Sequence, residues 1–182
     1  MGAAGSGGEL MQSQMFVPVI AFLIAVIACA FDLRTRRIPN ALTFGSAFAA
    51  LLFHRFTGGT EGAMVAAGGW VVGLFLFLPF FAMRGMGGGD VKLLAALGAW
   101  LGPGQVVWLA VYTGVAGGVL AVWTAVAHGY LKTAMRNVFG ALMYWGTVGL
   151  KPVPGLTLES TDAPRLAYAL PILAGTLVTL WL

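Results

Sequence analysis

The sequence predicts an all-α membrane protein: a bundle of six transmembrane helices with the N-terminus and the C-terminus both extracytoplasmic. Of its 182 residues, 59% are hydrophobic and 9% are charged, whereas soluble domains carry roughly 25% charged residues. The mean hydropathy is +0.90, and the apolar residues form runs long enough to approach the ~30 Å of a bilayer core. Lipid is therefore the expected surroundings of most of the chain.

Composition also narrows the kinds of site. The single cysteine, Cys29, lies inside an apolar run, so neither a disulfide nor a Cys-based metal site is expected. No metal ion or other cofactor is predicted. The net charge of +4 is small, so a nucleic-acid partner is not predicted either. The polar, glycine-rich residues 1–14 contain no Lys or Arg and predict a disordered tail rather than a signal peptide. Residues 15–182 then form a single transmembrane domain.

Six apolar segments alternate with polar connections. The second begins near Pro39, which is suited to a helix start because its missing N–H is not needed there. The connection 128–165 is mixed, and its apolar part, Asn137–Leu150, suggests an interfacial helix. The six segments are Met15–Phe31, Ala41–Phe53, Gly62–Met83, Val91–Leu101, Gln105–Ala127 and Leu166–Leu182.

The distribution of basic residues decides how many segments cross. The fourth segment reaches only about half the bilayer thickness and could instead be re-entrant, which would divide the basic residues five to five. With six crossings, nine of the ten lie on the cytoplasmic side, as the positive-inside rule favours, and only Arg55 lies outside. The nine are Arg34, Arg36, Arg37, Arg84, Lys92, Lys132, Arg136, Lys151 and Arg165.

Two of the six acidic residues adjoin apolar spans. Asp32 ends the first segment and Asp90 begins the fourth, which places both at the cytoplasmic depth. An ionisable group in the membrane is costly and is a functional candidate for that reason. Two carboxyl groups held close together share a proton, so one can activate water while the other donates to the carbonyl under attack.

The surroundings of these aspartates fit such chemistry. Three glycines precede Asp90, Gly87 to Gly89, and would let an extended peptide approach the backbone closely. Arg34, Arg84 and Lys92 are candidates for tuning the charge of the pair. Each aspartate also has a purely structural interpretation, because Asp90 could cap a helix and Asp32 could pair with a neighbouring arginine.

Two motifs resemble those of the type IV prepilin peptidases. Gly87-Gly-Gly-Asp90, continuing Val-Lys-Leu-Leu-Ala-Ala-Leu-Gly-Ala-Trp-Leu-Gly102, is similar to the family's Gly-x-Gly-Asp signature. Phe31-Asp32-Leu-Arg-Thr-Arg-Arg-Ile38-Pro39-Asn40 resembles its first aspartate motif. The resemblance implies a bacterial inner-membrane aspartic peptidase, with Asp32 and Asp90 catalytic and residues 15–182 as the peptidase domain.

The same resemblance implies a substrate and a subtype. Family members remove the basic leader of prepilin or pseudopilin precursors at the cytoplasmic face, just before the precursor's apolar helix. The chain looks like the short, peptidase-only form associated with Flp/Tad pili, which leaves N-methylation open. Two other hypotheses remain: a proton-coupled transporter, although such sites usually lie near the bilayer midplane, and a non-catalytic assembly factor of a pilus or secretion complex.

Overall fold

The protein is described by a computed structural model that covers residues 6–83, 86–149, 151, 153 and 167–182. Every regular element in these residues is an α-helix, which agrees with the predicted all-α membrane protein. Three helices are long and apolar enough to span a membrane, and a shorter apolar one follows near the C-terminus. In chain order the helices are α1 (Ser6–Thr35), α2 (Asn40–Ala82), α3 (Gly88–Ala127), α4 (Leu131–Val148) and α5 (Ala169–Trp181).

The first helix starts earlier than the apolar run does. It begins at Ser6, within the segment 1–14 for which the sequence predicts a disordered tail. Residues 1–5 of that segment lie outside the described residues, and the tail stays a prediction. At the other end, Arg36 has φ +53°, and this left-handed residue stops the helix after Thr35.

Helices α2 and α3 each fold back on themselves at a glycine. Gly59 has φ +64° and Gly102 has φ +82°, a backbone region that glycine enters without steric cost. A Cβ at Gly62 would meet the backbone carbonyl of His54, although residues eight apart in a straight helix are separated by ~12 Å. Similarly, a Cβ at Gly98 would lie 3.0 Å from Val106 Cγ2. Each helix is therefore a hairpin of two arms.

The reversals lie between segments that the sequence had separated. The arms of α2 are residues 40–58 and 60–82, and those of α3 are residues 88–101 and 103–127. The corresponding predictions were Ala41–Phe53 and Gly62–Met83, then Val91–Leu101 and Gln105–Ala127. Helix α4 lies within 128–165 and starts at Leu131, before the predicted interfacial segment, because Leu131 and Met135 continue its apolar face.

The first arm of α3 is the centre of the bundle. From Asp90 to Trp100 every residue is buried except Lys92, which is half-buried. A helix that is apolar on all sides is normally enclosed by protein. Residues 88–101 reach only ~21 Å, which explains the short fourth segment: it is surrounded by other helices and does not have to match the full lipid thickness.

Small residues allow the surrounding helices to approach this central arm. A Cβ at Gly69 would meet the carbonyl of Gly98, and the reverse also holds. One turn further along α2, a Cβ at Gly73 would lie 2.8 Å from the Leu94 carbonyl oxygen. Helix α5 packs against α3 and α1, with Gly175 directly over Thr113. Lipid provides no hydrophobic driving force between helices, so the van der Waals contacts of such closely packed backbones stabilise the bundle instead.

We predict that Gly98→Ala destabilises the fold, because its new methyl group overlaps the Gly69 backbone. The expected loss is about 1–3 kcal/mol, the usual cost of overpacking a core, and it would appear as a lower midpoint of thermal unfolding in detergent. Gly118→Ala is the matched control: it is exposed in the same helix and its Cβ meets nothing within 4 Å. Equal midpoints for the two variants would contradict this packing.

Candidate active site

Asp32 and Asp90 lie together at one end of the bundle. Asp32 is in the last turns of α1 and Asp90 in the first turn of α3, and each is only 8% exposed. The two carboxyl groups are close enough to interact electrostatically. Burial of two acidic side chains in an apolar bundle is costly unless partners compensate for it, so the groups around them define the site.

The start of α3 holds the Asp90 side chain. Gly87 occupies the N-cap position, and its carbonyl accepts the Asp90 backbone N–H at 3.2 Å. The Asp90 carboxyl turns back to within hydrogen-bonding reach of the N–H groups of Gly87 and of Asp90 itself. Asp90 is therefore not the N-cap residue, but its carboxyl does reach backbone N–H groups at the start of the helix.

Asp32 is held from the other side of the bundle. Its Oδ2 accepts the backbone N–H of Ala169 at 3.4 Å. Ala169 is the first residue of α5, where backbone N–H groups lack helical partners and attract negative charge. Arg34, a candidate for charge tuning, is exposed in the last turn of α1. The start of α5 thus forms one wall of the site.

The two aspartate motifs contact each other directly. A Cβ at Gly89 would lie 3.3 Å from Ile38 Cβ, so the glycine admits the isoleucine of the other motif. The Lys92 ammonium donates to Asn40 Oδ1 at 3.0 Å and lies 5.4 Å from the centre of the Phe44 ring. The connection after Asp32 is thereby attached to the helix that carries Asp90.

These contacts also bear on the predicted roles of the glycines and the basic residues. Gly87 faces the Asp90 carboxyl: a Cβ there would lie 3.0 Å from Asp90 Oδ2. Gly88 lies against the Phe81 ring, with 3.2 Å from its Cβ position to Cε2. All three glycines therefore lie against side chains of their own chain, since Gly89 faces Ile38. Lys92 contacts Asn40, Arg84 lies outside the described residues, and charge tuning by either stays a prediction.

Tyr168 is a site residue that the sequence did not indicate. Burial, and then the negative charge of Asp90, raise the pKa of its hydroxyl above the ordinary value. Its ring packs on α3, since Cε1 lies 3.7 Å from the Cβ position of Gly117. A tyrosine just before an apolar run is common at a membrane surface, so only the folded arrangement distinguishes it.

Comparisons with known proteins agree with the two motifs. Residues 19–122, more than half of the chain, match the model of the Type IV leader peptidase family. This stretch contains both Asp32 and Asp90. No solved structure matches the chain.

Several curated relatives carry leader peptidase names. The prepilin leader peptidase/N-methyltransferase of Burkholderia pseudomallei (strain 1026b) is 36% identical over 133 residues, covering 66% of this chain and 42% of the relative. The Neisseria gonorrhoeae protein of that name is 34% identical over 70% of this chain and 51% of its own length. Leader peptidase HopD of Salmonella typhimurium is 33% identical, over 47% and 62% respectively.

The chain thus spans about half the length of the curated relatives it matches. The family match, residues 19–122, includes both aspartates, the glycine motif and the enclosed arm of α3. By the extent of the family match, the chain belongs to the Type IV leader peptidase family.

Proposed function

We propose that the chain is a membrane aspartic endopeptidase that removes the leader peptide from prepilins or pseudopilins. The observation that carries the proposal is the electrostatic contact between two buried carboxyl groups, Asp32 and Asp90, at one end of an apolar bundle. Family membership supports leader cleavage as the reaction, because the relatives are named as leader peptidases.

The pair would work by sharing one proton. The ionised carboxyl takes a proton from a water molecule, whose oxygen attacks the carbonyl carbon of the scissile peptide bond. The protonated carboxyl donates a hydrogen bond to the carbonyl oxygen, where negative charge develops. When the C–N bond breaks, the leaving amine takes up the proton first removed from water. No metal ion or other cofactor is part of this proposal.

The membrane arrangement follows from the helices and the basic residues. We infer six crossings: α1, the two arms of α2, the two arms of α3, and α5. The chain reversals at Gly59 and Gly102 support this, as does the nine-to-one distribution of Lys and Arg. The end that carries Asp32 and Asp90 then faces the cytoplasm, with both chain ends extracytoplasmic, in the bacterial inner membrane.

The substrate would approach beside the first glycine of the motif. Gly87 has no side chain between its backbone and the Asp90 carboxyl, so an extended precursor can lie close to both. The precursor's apolar helix would remain among lipid and the membrane helices, while its basic leader stays in the cytoplasm. The scissile bond lies between these two parts, at the depth of the carboxyl pair.

We predict that Asp32→Asn and Asp90→Asn each abolish leader removal while the protein still accumulates in the membrane. The amide keeps the size of the side chain but cannot exchange the proton, and loss of one member of a catalytic unit costs about 10³-fold or more. The measurement is co-expression with a candidate prepilin, followed by the mass of its N-terminus.

A matched control separates catalysis from assembly. Glu61→Gln also removes one acidic charge, but at a position away from the site, and should leave cleavage unchanged. Normal leader removal in both aspartate variants would overturn the proposal. It would then favour a transporter or an assembly factor, in which the carboxyl groups have other roles.

We further predict that Asn40 and Lys92 act as a coupled pair that positions the aspartates. Asn40→Ala and Lys92→Met should each lower the unfolding midpoint and the cleavage rate, and the double variant should lose less than the sum. The expected coupling is about 0.5–1 kcal/mol, because the hydrogen bond is exposed to solvent. Strict additivity would show that the two side chains do not cooperate.

Tyr168→Phe tests the tyrosine beside Asp90. We propose that the Tyr168 hydroxyl, which is close enough to Asp90 to interact with its charge, positions that carboxyl, and we predict a drop in kcat/KM of about 2- to 12-fold, the size of one hydrogen bond of ~0.5–1.5 kcal/mol. The pH profile should keep its shape below about pH 10, since a tyrosine whose pKa is raised stays neutral there. Tyr112→Phe, on α3 but stacked against Trp108, is the control. A lost alkaline limb in Tyr168→Phe would contradict a positioning role.

A further inference from the structure

Helix α4 has two chemically distinct faces. Around the helix axis, most of the large apolar side chains gather on one side, the basic residues flank that side, and Thr133 lies opposite it. Among the described residues nothing covers the apolar side, and α4 packs only lightly on α3. The exposed apolar side chains on this side are Leu131, Met135, Val138, Phe139 and Leu142, and Met143 is exposed outside that face.

The charges of α4 are all of one sign. Lys132 and Arg136 lie on successive turns beside the apolar face, and both are exposed. The sequence contains no Asp or Glu from Val91 to Leu158, so no acidic residue of this segment neutralises them. A basic flank next to an uncovered apolar face is typical of helices that lie in the headgroup layer of anionic membranes.

The position of α4 fits that surface. The second arm of α3 returns from Gly102 to the end of the bundle that carries Asp90, and a short turn at 128–130 leads directly into α4. Its Trp145 indole donates to the Lys151 carbonyl at 3.0 Å, and tryptophan is enriched at membrane interfaces. Helix α4 is not among the described helices that are long and apolar enough to span a membrane. A lipid surface would cover its apolar face and leave its other face in water.

We propose that α4 lies in the headgroup layer, at the membrane face that carries Asp32 and Asp90, and binds anionic phospholipid through Lys132 and Arg136. The occupant of the apolar face is the acyl region of the leaflet that α3 has just left. This inference concerns lipid binding and can be tested without measuring cleavage.

The test uses spin labels on opposite faces of α4 in the full chain. In a Cys29→Ala background, Leu142→Cys places a label on the apolar face and Thr133→Cys places one on the polar face. The protein is reconstituted in liposomes of phosphatidylcholine with phosphatidylglycerol, or of phosphatidylcholine alone. Relaxation by oxygen, which concentrates in lipid, is compared with relaxation by a water-soluble nickel chelate.

The proposal predicts a lipid-dependent contrast. In the anionic liposomes the Leu142→Cys label should be accessible to oxygen and shielded from nickel, and the Thr133→Cys label should show the reverse. In phosphatidylcholine alone, or with Lys132→Gln and Arg136→Gln together, the contrast at position 142 should fall several-fold. Circular dichroism with unchanged helix content shows that the double variant is folded.

Three results would overturn the proposal. Equal nickel accessibility at both positions in anionic liposomes would place α4 in water. If the contrast is the same in both lipid mixtures and in the double variant, Lys132 and Arg136 do not bind anionic headgroups. Shielding of position 142 that requires high protein density, with short distances between labels on two molecules, would make the apolar face a contact between copies of the chain.

Discussion

The complete enclosure of the first arm of α3 is the constraint on which the rest of the structure depends. An arm of only ~21 Å is surrounded by the other helices, so its polar first turn is held inside the bundle rather than at a lipid boundary. The Asp90 carboxyl consequently has to find its partners among protein groups at the same depth. Backbone N–H groups at Gly87 and Asp90 favour the buried carboxylate, while Asp32 and Tyr168 are close enough to interact with its charge.

Glycine makes this enclosure possible in two separate ways. At Gly59 and Gly102 it supplies a positive φ that reverses the chain, so two long apolar stretches become two hairpins. At Gly69 and Gly98 it allows backbones to touch, so the second arm of α2 packs directly on the central arm. In the motif before Asp90, Gly88 and Gly89 likewise admit the chain's own side chains. Only Gly87 lies directly beside the carboxyl, which narrows where a substrate backbone could approach.

Several of these features were accessible from the sequence. The distribution of basic residues predicted that Asp32 and Asp90 lie at the same depth in the membrane. The gaps between apolar runs predicted where the chain reverses, because composition and hydrophobic patterning carry that information. The partners could not be predicted in the same way. The contact of Asp32 with Ala169 joins residues 137 positions apart, and that of Lys92 with Asn40 joins residues 52 apart. Charge tuning by Lys92 stays a prediction, whereas the direction of its side chain depends on packing that no local pattern encodes.

The central claim is that the carboxyl groups of Asp32 and Asp90 converge in the membrane-embedded protein. It is tested most directly by replacing both with cysteine in a Cys29→Ala background, treating membranes with a short bifunctional thiol reagent, and identifying linked peptides by mass. The account predicts an intramolecular link between positions 32 and 90, and none between 32 and a cysteine at Gly118, which is exposed on the outside of α3. Separate labelling of both thiols at 32 and 90 without any link would contradict it.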